Sequence, residues 1–146
     1  MSKIYEYPAE EVFKDIQEIH DYLVTHEYPI AAIFMIAAGG CILGTALKNK
    51  FGLPYEIIRA KSYNDRRRDK LIVDYPELTR YIGKTVLVCD DLVDSGTTLT
   101  EVCNTLVASG IFVNTVTLIQ KQGTMYYPDF AVKTIDQNVW IKFPWE

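Results

Sequence analysis

Residues Thr85 to Leu99, reading Thr-Val-Leu-Val-Cys-Asp-Asp-Leu-Val-Asp-Ser-Gly-Thr-Thr-Leu, constrain the fold more than any other stretch. The run Val86 to Cys89 is apolar and shows no alternation. Such a run suits a strand buried on both faces of a parallel sheet. Three carboxylates, Asp90, Asp91 and Asp94, follow within five positions, and then come Ser95-Gly96-Thr97-Thr98 and a helix-like segment. Strand, acidic turn, Gly/Thr loop and helix start place the turn at the carboxyl end of a strand, where open α/β sheets bind ligands. Backbone N–H groups and hydroxyls at a helix N-terminus suit a phosphate. The acids would repel that phosphate and suit what lies beside it: sugar hydroxyls, a Mg²⁺ ion or a proton to be moved. An acidic turn that merely caps a helix would use the same residue types.

The rest of the chain repeats the βα rhythm. Pro8 to Thr25 reads as a packing helix, with Val12, Phe13, Ile16, Ile19 and Leu23 at helical spacing. Ile30 to Ile36 reads as a second buried strand, ending in Ala37-Ala38-Gly39-Gly40 before a helix from Cys41 to Lys50. A Gly-Gly turn between strand and helix lets backbone approach a ligand closely, or simply makes a tight connection. Tyr55 to Ala60 reads as a strand, and the polar, cationic Lys61 to Lys70 as a mobile functional loop. Leu71 to Tyr81 reads as irregular, with at most a short helical turn. Thr97 to Ser109 is predicted helical, Ile111 to Ile119 and Ala131 to Ile135 extended. Lys121 falls just past the first of those two strands, on the ligand side of the sheet. The expected fold is α/β, a parallel sheet flanked by helices.

Val86 to Thr98 resembles the phosphoribosyl-pyrophosphate (PRPP) motif of type I phosphoribosyltransferases: apolar strand, two acids, two apolar residues, then Asp, Ser/Thr, Gly and Thr. Ser62-Tyr63 is similar to the start of the flexible loop in purine-specific members. Trp140-Ile141 through Pro144-Trp145-Glu146 resembles the end of the base-binding hood in bacterial xanthine-guanine phosphoribosyltransferases. The resemblance spans most of the chain and implies one phosphoribosyltransferase domain over residues 1–146, its hood formed mainly by 121–146. It implies transfer of phosphoribosyl from PRPP to a 6-oxopurine (guanine, xanthine or hypoxanthine) in purine salvage, with Mg²⁺ as cofactor.

The same resemblance implies the site residues. Asp94 is the catalytic base or acid. Ser95, Gly96, Thr97 and Thr98 cradle the 5-phosphate, and Asp90 and Asp91 hold the ribose, directly or through metal. Ala38, Gly39 and Gly40 form the pyrophosphate loop. Ser62 and Tyr63 belong to a lid. Lys121, Trp140 and Ile141 bind the base, and Glu146 joins Asp90 and Asp91 as a metal ligand. One position departs from the pattern: purine-specific members carry Arg or Lys where this chain has Ala38. The arginines at 66–68 could supply that charge. Ala38 also keeps open a non-catalytic PRPP or nucleotide-binding regulator, and the fold keeps open another nucleobase.

Composition narrows the partners. A net charge of −4 gives no global basic field for nucleic acid. No apolar stretch reaches membrane-span length, and the N-terminus lacks a signal-peptide layout. Cys41, Cys89 and Cys103 lie among apolar neighbours with no metal spacing and read as buried thiols of a cytoplasmic protein. His20 and His26 fall on or near a surface helix. Members of the family are usually dimers or tetramers, which implies a homo-oligomer, with Tyr5, Tyr7, Tyr126 and Tyr127 as candidate interface residues.

Overall fold

The structure, a computed structural model, describes residues 3–65 and 68–146, with side chains described outside 64–69. Its elements in chain order are β1 (Lys3–Glu6), α1 (Ala9–Thr25), β2 (Ala32–Ala37), α2 (Cys41–Phe51), β3 (Tyr55–Asp65), β4 (Arg68–Asp74), β5 (Thr85–Val93), α3 (Thr97–Ala108), β6 (Phe112–Lys121), β7 (Phe130–Ile135) and β8 (Val139–Lys142). Thr79–Tyr81 forms one 3₁₀ turn before β5. The main sheet has the order β4-β3-β2-β5-β6-β7, parallel throughout except for β4.

Alternation along the two central strands builds two cores. Ile33, Met35, Leu87 and Cys89 face α1 and α2, where they meet Ile16, Ile19, Leu43 and Leu47. Ala32, Phe34, Ile36, Val86 and Val88 face α3, where they meet Leu99, Val102, Cys103 and Leu106. This two-sided burial is why β2 and β5 read as continuous apolar runs. Gly44 brings α2 onto the sheet, since a Cβ there would stand 2.6 Å from Met35 Cβ.

β2 lies between β3 and β5. The chain leaves β2 through α2 toward β3, and leaves β5 through α3 toward β6, in the opposite direction. The loops after β2 and β5 therefore diverge, and a crevice opens at the carboxyl ends of these strands. That is the topological switch point of an open α/β sheet.

Two regions differ from the sequence expectation. Lys61 to Lys70, read as a mobile loop, belongs within its described residues to an antiparallel hairpin that pairs Ser62 with Leu71 and Tyr63 with Lys70. An edge hairpin can carry charge on both faces, so its alternation was hidden. The chain up to Asp74, read as irregular, is the second strand of that hairpin. The C-terminal strand β8 is not alone either. It pairs in parallel with β1, placing Ile4 beside Trp140 and Tyr5 beside Ile141. Four residues, Lys-Ile-Tyr-Glu, are too few for a periodic signal.

The second sheet is tied to the body through α1 and β7. Tyr7, buried after β1, donates its hydroxyl to buried Asp15. Lys133 of β7 reaches Glu11 at 2.5 Å and Asp15 at 3.2 Å, and Tyr5 donates to Glu11 at 3.1 Å. Tyr7 is thus an internal residue, and Tyr5 is partly buried against the core. Tyr126 is also partly buried against α3, whereas Tyr127 is exposed. Among the described residues no helix is long and apolar enough to cross a membrane.

Candidate active site at the switch point

Three adjoining depressions follow the crevice. The first, about 120 Å³, is lined by Asp90 and residues 92–99. It lies at the start of α3, whose N-cap Gly96 has no side chain to satisfy the first-turn N–H groups. Thr97 N–H donates to Ser95 Oγ at 3.3 Å, and the next N–H groups of the turn, with the positive end of the helix dipole, suit an anion. Gly96 has φ +91°, and a Cβ there would stand 2.7 Å from the Tyr126 nitrogen. Ser95 Oγ lies 3.0 Å from Thr97 Oγ1, and the Ser95 carbonyl accepts from Met125 N–H at 2.9 Å, which fixes the loop.

The second depression, about 510 Å³, runs between the two loops and is bordered by Ala37, Ala38, Gly39, Asp90, Asp91, Thr98, Trp145 and Glu146. Here the glycines have a specific steric duty. A Cβ on Gly39 would stand 2.4 Å from an Asp91 carboxylate oxygen, and one on Gly40 would stand 2.4 Å from the Cys89 carbonyl. The close approach made by this loop is thus to β5 and its acids. Burial first, and then the charge of Asp91, push Asp90 well above the usual carboxylate range. Burial also raises Asp91, with a contribution from Glu146. The pair is an under-compensated anionic site that a cation would relieve. Asp90, Asp91 and Glu146 border one cleft, yet among the described residues no three carboxylate, histidine or cysteine side chains converge closely enough to hold a metal alone. This donor set fits Mg²⁺ carried in on phosphate oxygens, which needs only one or two protein carboxylates.

The third depression, about 190 Å³, is lined by Asp91, Leu92, Asp94, Lys121, Val139, Trp140, Ile141, Phe143 and Glu146. Lys121, the last residue of β6, is buried. It donates to the Val139 carbonyl at 2.6 Å and the Gln137 carbonyl at 3.2 Å. Trp140 is 66% exposed beside it, leaving an indole face open to a flat ligand. Ile141 is buried, so what it offers the cleft is chiefly backbone. Asp94 is exposed at the mouth shared with the first depression. Gln137 donates to the Asp94 backbone carbonyl at 3.3 Å, linking hood and acidic turn.

The predicted site residues Asp90, Asp91, Asp94, Ser95–Thr98, Ala38, Gly39, Lys121, Trp140, Ile141 and Glu146 are therefore brought together at one end of the sheet. Gly40 lies beneath the loop, against β5. Ser62 and Tyr63 stand on β3, exposed and outside these three linings. Arg66 and Arg67 fall outside the described residues, as does the side chain of Arg68. Sequence reasoning missed Leu92, Phe143 and Gln137. Leu92 and Phe143 carry no polar group that would mark them in the sequence, and Gln137 contacts the site only because the hood folds back over β5.

Comparison with known proteins gives a consistent result. Residues 6–146 match the family model described as the phosphoribosyl transferase domain. The hypoxanthine/guanine phosphoribosyltransferase of Methanohalophilus mahii is 28% identical over 118 residues, 75% of this chain and 62% of that protein. The chain thus spans under two thirds of that relative's length. The purine phosphoribosyltransferase structure from Pyrococcus horikoshii is similar with a TM-score of 0.87 and 28% identity, over 99% of this chain and 94% of that one. The xanthine-guanine-hypoxanthine phosphoribosyltransferase of Helicobacter pylori gives a TM-score of 0.85 and 28% identity, over 98% and 94%.

Proposed function

Because the chain belongs to the phosphoribosyl transferase domain family, we propose that it transfers the 5-phosphoribosyl group of PRPP to a 6-oxopurine, releasing pyrophosphate. One observation carries the reading: the three depressions adjoin in the order phosphate loop, acidic cleft, and cleft with buried lysine and exposed indole. A phosphoribosyl group has to span the first two while the base occupies the third.

In this reading the C1′–O bond to pyrophosphate breaks, the C1′–N9 bond to the purine forms, and the purine proton passes to Asp94. The N–H groups of Ser95 to Thr98 hold the 5-phosphate. Asp90 and Asp91 orient the ribose hydroxyls. Their negative charge also stabilises the positive charge that develops on the sugar. Lys121 donates to the O6 of the base, which selects against an exocyclic amine, and Trp140 stacks on the ring. Mg²⁺, bound with PRPP, would neutralise diphosphate charge, with Asp90, Asp91 and Glu146 as its protein neighbours. No protein nucleophile is required. Catalysis then rests on positioning and electrostatics. The salvage role, cytoplasmic location and homo-oligomeric assembly are parts of this reading that rest on the family alone.

The test is a radiolabelled-base assay with PRPP and Mg²⁺ across guanine, xanthine, hypoxanthine, adenine and the pyrimidines. The expected outcome is nucleotide formation with at least one oxopurine and none with adenine. PRPP binding without product from any base would favour the regulator that Ala38 keeps open.

A further inference from the structure

The link between β5 and α3 is only Asp94-Ser95-Gly96, and each of its three carbonyls is held. Gln137 donates its side-chain amide to the Asp94 carbonyl at 3.3 Å. Met125 N–H donates to the Ser95 carbonyl at 2.9 Å, and Thr100 N–H to the Gly96 carbonyl at 2.9 Å. Across a planar trans peptide the N–H points opposite to the carbonyl before it. Holding the Asp94 carbonyl therefore aims the Ser95 N–H away from Gln137, and holding the Ser95 carbonyl aims the Gly96 N–H in the same way. Among the described residues neither N–H has an internal acceptor, and both residues line the first depression.

The three anchors differ in what they depend on. Met125 and Thr100 give main-chain N–H groups, which almost any side chain at those positions would keep. The Asp94 carbonyl depends on one side chain. That side chain starts from a fixed point, because the Gln137 carbonyl accepts from the buried Lys121 ammonium at 3.2 Å. Gln137 thus joins the lysine of the third depression to the first peptide of the phosphate loop. A neutral amide suits this place. It donates to a carbonyl without setting a charge beside the Asp94 carboxylate or a bound phosphate.

We propose that Gln137 is a positioning residue for the 5-phosphate, acting through the 94–95 peptide, whose N–H it aims into the phosphate loop. The inference rests on the phosphoribosyltransferase reading and adds to it a residue outside the motif that touches no ligand.

The experiment is titration calorimetry with PRPP and, separately, inorganic pyrophosphate, both with Mg²⁺, beside steady-state kinetics for the base. Wild type is compared with Gln137→Met, which keeps the length and loses the donor, and with Gln137→Glu, in which an oxygen replaces it. Gln137 is exposed, so thermal melts of both variants should match wild type. Gln137→Met is expected to weaken PRPP roughly 3–10-fold, the worth of one neutral hydrogen bond. Gln137→Glu should lose at least as much, since a carboxylate would then face the Asp94 carbonyl. Pyrophosphate affinity and the KM of the base should stay within about twofold, because neither ligand uses the phosphate loop and the Gln137 carbonyl that holds Lys121 is retained. Unchanged PRPP affinity in both variants, or an equal loss of all three ligands, overturns the positioning role and leaves the transferase reading standing. Failure of wild type to bind PRPP overturns both.

Discussion

Lys121 gives two ammonium protons to the carbonyls of Gln137 and Val139, and so fastens the end of β6 to the hood strand. One proton is left for a ligand in the cleft it shares with Trp140 and Asp94. One residue thereby orders the hood and, in the proposed reading, also meets the base. Asp94 differs: it is exposed, and Gln137 holds only its backbone carbonyl. The carboxylate is free to take a proton from a bound base. Asp94→Ala should therefore lower kcat about 10²–10⁴-fold, the usual range for loss of a general base, while PRPP affinity changes less than about threefold. Calorimetry of PRPP binding beside steady-state kinetics separates the two effects. Abolished PRPP binding in this variant would move Asp94 from the base to the sugar. The acids of the turn were legible because their spacing is local. The carbonyl partners of Lys121 were not, because they lie 16 and 18 residues further along the chain and arrive only through tertiary folding.

Elements with strong periodicity were readable in the sequence. The helices came out close to their observed limits (α3, for example, read as ending at Ser109, ends at Ala108), and β2 and β5 showed themselves as continuous apolar runs. The hairpin and β1 did not show, one masked by charge on both faces and the other by shortness. Yet β1 carries the tether that sets the hood against the body. Tyr5 and Tyr7 flank the end of that strand, and they meet Glu11, Asp15 and Lys133 in one polar cluster. Its pH dependence can be worked out from two groups. Glu11 is lowered from 4.5, chiefly by its hydrogen bond with Lys133, so its contribution is present above that value and lost as pH falls through the lowered one. For Lys133, burial acts downward, but the bonds to Glu11 and Asp15 outweigh it and raise the group above 10.5. Its contribution is present below 10.5 and lost as pH rises through the raised value. Lys133→Met should therefore lower Tm near neutral pH by ~2–4 °C, since the ion pairs lie in partly screened surroundings. The deficit should shrink below pH 4.5 and again above 10.5. Because Ile4 and Tyr5 pair with Trp140 and Ile141, the same variant should raise the KM of the base more than that of PRPP. Thermal melts across pH and a two-substrate kinetic comparison check both statements. A Tm deficit that persists undiminished at pH 3 would mean that packing, and not charge, holds the hood.

At the scale of the whole molecule, the reversal of strand order between β2 and β5 separates two loops, and each contributes a different charge problem. The loop before α3 offers N–H donors to an anion. The turn before it holds two carboxylates that burial already raises, Asp90 further through the charge of Asp91 and Asp91 through that of Glu146. A phosphorylated ligand therefore gains at one end of the crevice and is repelled at the other, and the balance depends on positive charge entering with it. This gives an expectation for thermal shift. A ligand that binds only the folded state at 100 times its Kd stabilises by ~2.7 kcal/mol, worth roughly 5–10 °C for a chain of this size. PRPP with Mg²⁺ should reach that range once in such excess. PRPP in EDTA at the same concentration should give a clearly smaller shift, because Asp90 and Asp91 then face uncompensated phosphates. Replacing both acids with asparagine should narrow the difference between the two conditions, since it removes the repulsion that the cation offsets. A scanning-fluorimetry series of wild type and the Asp90→Asn/Asp91→Asn variant, each with and without Mg²⁺, reads this directly. Equal shifts for wild type in Mg²⁺ and in EDTA would show that the acidic turn does not face the phosphates, and would place the ligand along the α3 loop alone.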